Sequence, residues 1–203
     1  MSDPLPAAGG TYLDQEAYIA DFERRFWNLG SEGFWKLERM QSYDEGDFPS
    51  WQALRRGDWE ESLRLIEELR TEYEEYYGKI SAAGFALHRV RVVERPIAPY
   101  IQWELHLLRT KYEYGERVSV LDATEIVGDE TGGPLPELCV LGTEAVYVLD
   151  YTPAGAPNGA VRHTDPAMVT RARALIRRLH SAGEPLESYF RREVAELPPP
   201  RGV

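Results

Sequence analysis

The stretch Phe85-Ala86-Leu87-His88-Arg89-Val90-Arg91-Val92-Val93-Glu94-Arg95-Pro96 is followed by residues 97–114 and then by Gly115-Glu116-Arg117-Val118-Ser119-Val120-Leu121-Asp122. Its first part is β-branched and extended, which suits a strand. After Pro96, a residue that favours helix starts, Ile97, Ile101, Leu105, Leu108 and Tyr112 recur at helical spacing until Gly115. Arg117 to Leu121 then reads as a second strand. Strand, helix and strand at this spacing predict a βαβ unit whose strands, Leu87–Glu94 and Arg117–Leu121, run parallel with a right-handed crossover.

Outward from this unit the chain alternates in the same way. Residues 12–29 carry Leu13, Ala17, Phe22 and Phe26 at helical spacing and stop at Gly30. Phe34–Glu38 reads as a short strand and Phe48–Arg56 as a short helix. From the N-cap Asp58, a stripe through Leu63, Ile66, Leu69, Tyr73, Tyr76, Tyr77 and Ile80 predicts one helix up to Gly84. Leu138–Leu141 and Ala145–Tyr151 flank Gly142-Thr143 as a hairpin, Thr152–Gly159 reads as a loop and Ala160–His163 as a further strand. Asp165-Pro166 starts a helix with Val169, Ala172, Ile176 and Leu179 on one face, and a short helix follows near Leu186–Val194. The expectation is an α/β single domain over residues 12–195, a mixed sheet with a right-handed βαβ unit flanked by helices. Residues 1–11 read as a flexible tail and residues 196–203 as a Pro-rich disordered one.

Composition narrows the function classes. The chain has 203 residues, 43% hydrophobic and 28% charged, within the range of one globular domain. No apolar run approaches the ~20 residues of a membrane span, and the N-terminus lacks a secretory pattern. The lone Cys139, in an apolar segment, fits a reducing cytoplasm. A net charge of -11 argues against direct nucleic-acid binding. Acid concentrates in Asp58–Glu75, whereas Arg171, Arg173, Arg177, Arg178, Arg191 and Arg192 make the C-terminal part basic, an asymmetry suited to a protein partner or to a second subunit in a homodimer. No P-loop, dinucleotide fingerprint, zinc-spaced Cys/His set or nucleophile elbow occurs, so neither a cofactor nor a metal is expected.

The candidate site follows from alternation. In the strand from Phe85 to Glu94, Leu87, Arg89, Arg91 and Val93 share one face, and His88, Val90 and Val92 share the other. Helices on both sides would bury the two arginines, which then need carboxylates such as Glu104 or Asp150. This is either an internal ion-pair network or an anion-binding cleft. Ligands of open α/β sheets bind beyond the carboxyl ends of the strands, where Glu94, Asp122 and Asp150 end three strands beside Arg95 and Tyr100. The cleft candidates are therefore Arg89, Arg91, Glu94, Arg95, Tyr100, Glu104, Asp122, Asp150 and His163, with Arg91 and Glu104 expected within ion-pair reach.

The run Arg89-Val90-Arg91-Val92-Val93 with Pro96, Tyr100 and Glu104, followed by Gly115-Glu116 before a strand, resembles an uncharacterised actinobacterial family, the domain of unknown function 6879. Phe34-Trp35-Lys36-Leu37-Glu38 resembles that family's Phe-Arg-Leu-Glu segment. The resemblance implies a cytoplasmic interaction or regulatory role, with a helix-turn-helix regulator as the expected partner, and it carries no activity. More distantly, the order of elements resembles the phospholipase D fold, whose signature pairs a His with a Lys two residues later. Here His88, His106, His163 and His180 are followed by Val90, Leu108, Asp165 and Ala182, so that chemistry is not expected. Two functions stay open: a non-catalytic interaction or regulatory module, and a small-molecule enzyme or ligand-binding protein of a biosynthetic pathway with its cleft at the strand ends.

Overall fold

The strand that carries the two arginines lies inside the sheet. The computed structural model describes residues 9–200, and there β3 (Leu87–Val93) is buried at every position between β2 (Phe34–Glu38) and β4 (Arg117–Asp122), parallel to both. The crossover from β3 to β4 is α5 (Pro99–Glu113), so the expected βαβ unit is present. The helix starts at Pro99, with Ala98 as its N-cap, and leaves Pro96 and Ile97 in the preceding turn.

Around this unit an eight-stranded mixed sheet forms in the order β1-β7-β6-β5-β2-β3-β4-β8. The expected hairpin is β5 (Leu138–Leu141) with β6 (Ala145–Tyr151), and β5 closes on β2 antiparallel. The strand expected at Ala160 begins earlier, as β7 (Pro157–His163), because pairing with β6 continues through an irregularity at Asp150/Tyr151. Two edge strands have no periodicity long enough to read in sequence: β1 (Thr11–Leu13), paired with β7, and β8 (Glu184–Pro185), paired with β4. Gly159 permits the first pairing, since a Cβ there would lie 2.2 Å from the carbonyl oxygen of Leu13, and its φ is +121°.

Helices cover both faces. Leu37, Val90, Val92, Leu121 and Val140 point to α6 (Pro166–Ala182), where Met168, Val169, Ala172, Ile176 and Leu179 meet them. The opposite face is covered by α1 (Gln15–Phe26), α2 (Pro49–Arg55), α3 (Trp59–Glu68), α4 (Arg70–Ala82), α5 and α7 (Leu186–Glu193). The single helix expected from Asp58 to Gly84 is thus two. At Leu69 the amide turns back to the carbonyl of Ile66, and the bend lets Ile66 pack toward α5 while Tyr77 and Ile80 pack with Phe26 and Phe34 of the neighbouring cluster. A straight helix of that length, roughly 35 Å, would carry one end off the core. The first helix begins at Gln15 because Asp14 accepts from the amide of Ala17, which leaves Leu13 in β1.

Of the terminal tails, residues 1–8 and 201–203 lie outside the described residues. Residues 196–200 return toward α5, where Gln102 Nε2 donates to the carbonyl of Pro198 at 2.9 Å. Among the described residues no helix is long and apolar enough to cross a membrane.

On the α6 face His88 stacks flat on Trp35, with ring centroids 3.8 Å apart, and its Nε2 lies 3.3 Å from Arg117 Nη1. Burial, together with His180 and Arg117 nearby, pushes the imidazole down to about 4. The unfolded chain takes up this proton near pH 6.5 and the folded chain only near pH 4, so protonation favours unfolding in between. We predict that His88→Phe, which keeps an aromatic ring on Trp35, removes about 1–2 kcal/mol of the rise in unfolding free energy between those pH values, as read by denaturant titrations of both proteins. Identical slopes would contradict it.

Candidate functional site

The face of β3 that meets α5 carries charge where its neighbours carry hydrocarbon. Parallel register sets Lys36 opposite Arg89 and Glu38 opposite Arg91, so alternation along β2 and β3 puts all four side chains on one face. Arg89 is bracketed by carboxylates. Its Nε donates to Glu116 Oε1 at 2.6 Å and its Nη1 to Glu38 Oε1 at 2.5 Å. Lys36 Nζ reaches the same Glu38 oxygen at 2.7 Å, and Tyr77 on α4 donates its hydroxyl to Glu116 Oε2 at 2.5 Å.

Two residues on, Arg91 has no exposed surface. Its Nε donates to Glu104 Oε2 of α5 at 2.6 Å, and its Nη1 donates to the carbonyls of Glu38 and Val92. The Tyr43 ring lies 5.7 Å from the guanidinium carbon. The expected pairing of Arg91 with Glu104 is therefore direct. Burial pushes the Glu104 carboxyl up to about 7 against the pull of Arg91, whereas Arg89, Lys36 and Arg91 outweigh burial at Glu38 and hold its carboxyl well below the usual range. A guanidinium does not give up its proton, so Arg91 keeps its charge and Glu104 is the member of the pair that titrates.

Toward the carboxyl ends of the strands the remaining candidates are each taken by a neighbour. Tyr100 donates to Glu45 at 2.6 Å. Glu94 pairs with Arg39, Arg95 bridges Asp122 and Glu193, and Asp150 accepts from Asn158 Nδ2 at 2.7 Å. Asp122 also caps the turn after β4 through the amide of Thr124. Glu137, just before β5, accepts from the amides of Arg39 and Met40 and from the Tyr43 hydroxyl. His163 is not part of this group. It ends β7, which runs opposite to β6, and so sits at the other end of the sheet against Gly10.

One opening on this face lies at the amino ends of the parallel strands. A cavity of about 290 Å³ is walled by aromatic rings from α1, β2 and α4, and Arg89, Lys111 and Glu116 line it. Lys111 belongs to the last turn of α5, and its ammonium lies 5.7 Å from the centre of the Tyr73 ring. Among the described residues it has no carboxylate oxygen within 4 Å. Burial, with Arg89 beside it, pushes its pKa down. Sequence reasoning missed Lys36, Glu38, Lys111 and Glu116. The alternation of Phe34, Lys36 and Glu38 in a segment already read as a strand was the available signal for the first two.

Two outcomes follow from this geometry. Arg91→Ala leaves a buried carboxylate unpaired and should lower the unfolding free energy by ~3–5 kcal/mol, whereas Arg91→Met with Glu104→Leu should recover most of that loss in a double-mutant cycle. Equal losses for the single and the double variant would refute the pairing. Lys111→Met should raise the melting temperature, because it removes a desolvated cation and keeps its hydrocarbon stem. A fall would show that the ammonium is a structural contact.

The model of a family described as a domain of unknown function (DUF6879) matches residues 20–191, a span that includes every charged residue of the β3 face named above. No curated protein matches the chain.

Proposed function

We propose, for a chain that belongs to the DUF6879 family, a non-catalytic interaction or regulatory role exercised through contact with a protein partner in the cytoplasm. The observation that supports it is the state of the candidate groups at the strand ends. Glu104, Glu94, Asp122 and Asp150 each accept from a neighbouring side chain of the same chain. A general acid or base has to reach a substrate proton, and carboxylates held in this way serve as braces.

The partner's chemistry is suggested by α3 and α4. Glu60, Glu72, Glu74 and Glu75 are exposed there, while Arg64 and Arg70 on the same helices are taken up by Glu61, Glu68, Glu67 and Glu113. The surplus suits a basic protein surface, such as that of a helix-turn-helix regulator. In the basic C-terminal part Arg173, Arg178, Arg191 and Arg192 pair with Glu32, Asp129, Glu187 and Glu184, while Arg171 and Arg177 lie against Met168 and Trp35. The resemblance to an actinobacterial family found beside such regulators supports the same reading. The distant likeness to the phospholipase D fold adds a scaffold to it and no chemistry. Buried Cys139 agrees with a reducing compartment.

Affinity capture by the full chain from host lysate, repeated with Glu60, Glu74 and Glu75 all changed to Lys, tests the proposal. The expected result is a discrete basic partner that the native chain retains at low salt, and that both the variant and high salt release. Capture of no partner by the native chain, together with turnover of a small metabolite, would overturn it.

A further inference from the structure

We infer that the cavity between α1, α4 and the amino ends of β2 and β3 is a binding site for a small aromatic monocarboxylate, with Lys111 as its anion anchor. The inference is independent of the proposed protein partner and of the strand-end cleft, which lies at the opposite end of the parallel strands.

Charge balance comes first. The group around Arg89 holds three cations, buried Arg89 with half-buried Lys36 and Lys111, against two buried carboxylates, Glu38 and Glu116. Both carboxylates are engaged by Arg89, and Glu116 also takes the Tyr77 hydroxyl, so Lys111 is left as the surplus charge. Glu72 lines the same cavity but is exposed to solvent, where its charge is screened. One monoanion beside Lys111 would bring the group to neutrality. A dianion would overshoot, and a neutral or cationic ligand would leave the imbalance in place.

Position argues the same way. A lysine in the last turn of a helix ordinarily extends into water, where it meets the helix dipole at no desolvation cost. The Lys111 ammonium instead lies over the Tyr73 ring in a cavity that Arg89 also lines. Arg89 uses Nε and Nη1 for its two carboxylates, and Nη2 makes no hydrogen bond among the described residues. The Lys111 ammonium and one uncommitted guanidinium nitrogen of a residue that lines the same cavity are thus the donors on hand, a set that fits a carboxylate.

The walls select the rest of the ligand. Phe22 and Phe26 stack with centroids 5.1 Å apart, and Phe26 stacks parallel to Tyr76 at 6.5 Å. Phe34 closes the floor edge-on to Phe22. Rings in these orientations accept another aromatic ring by stacking or edge contact. A cavity of about 290 Å³ stands at the small end of ligand pockets, which favours a single-ring or indole-sized acid.

The test is calorimetric titration of the full chain with benzoate, phenylacetate and indole-3-acetate, beside phenylacetamide and phenethylamine as neutral and cationic counterparts. We expect saturable binding of at least one acid at millimolar or lower concentration, and none of the amide or the amine. Lys111→Met should weaken the acid about tenfold or more, and Lys111→Arg should retain most of the affinity. Should Lys111→Met fold poorly, Phe22→Trp, which fills the cavity from the solvent side, must abolish binding in its place. Failure of all three acids to saturate up to about 10 mM, equal binding of acid and amide, or undiminished binding by Lys111→Met would overturn the inference.

Discussion

Two guanidinium groups on the helix-covered face of an interior strand cannot be left to water, and much of the molecule can be traced to that constraint. Arg89 and Arg91 are only 9% and 0% exposed, so the neighbouring elements have to bring carboxylates to them. The strand β2 supplies Glu38, α5 supplies Glu104, and the turn into β4 supplies Glu116. Each carboxylate fixes something larger than itself. Slipping β2 by one residue would turn Glu38 to the α6 face, rotating α5 would withdraw Glu104, and lengthening the turn after α5 would move Glu116. Ion pairs of this kind add little net stability, but they discriminate strongly against wrong registers.

The same seam has different ends. At the carboxyl ends of the parallel strands it runs into tyrosines and paired acids, with Tyr43, Tyr100, Glu45 and Glu137 satisfying one another. At the amino ends it stops at a cavity, with Lys111 facing the rings of α1 and α4. The general rule for open α/β sheets, ligands beyond the carboxyl ends, rests on helix N-termini and loops converging there. In this chain Trp51 of α2 packs there against Tyr100 and Trp103 of α5, and the region is filled with aromatic side chains.

The βαβ unit, the hairpin and the α6 stripe were legible because each rests on local periodicity backed by a cap or a glycine stop. So was the Arg91–Glu104 pair, since strand alternation and helix spacing each fix a direction. The break at Leu69 was not legible: Leu63 to Ile80 keeps one helical period, and only the curvature of the core forces the bend. Nor was the open cavity. Lys111 reads as an ordinary helix-terminal cation, and its surroundings come from Tyr73, Arg89 and Phe22, residues of three other elements. His163 stands apart from the strand-end residues because β7 runs opposite to β6.

The account depends on the Nε groups of Arg89 and Arg91 being held against buried carboxylates and out of water. Nitrogen-15 spectra of the full chain with labelled arginine measure this most directly, through the exchange of each Nε proton with solvent. Because both Nε groups donate to buried carboxylates at 2.6 Å, the account predicts two resolved Nε–H signals, assigned by Arg89→Lys and Arg91→Lys, that exchange far more slowly than those of exposed arginines such as Arg191. Exchange of both at the rate of exposed arginines would contradict it.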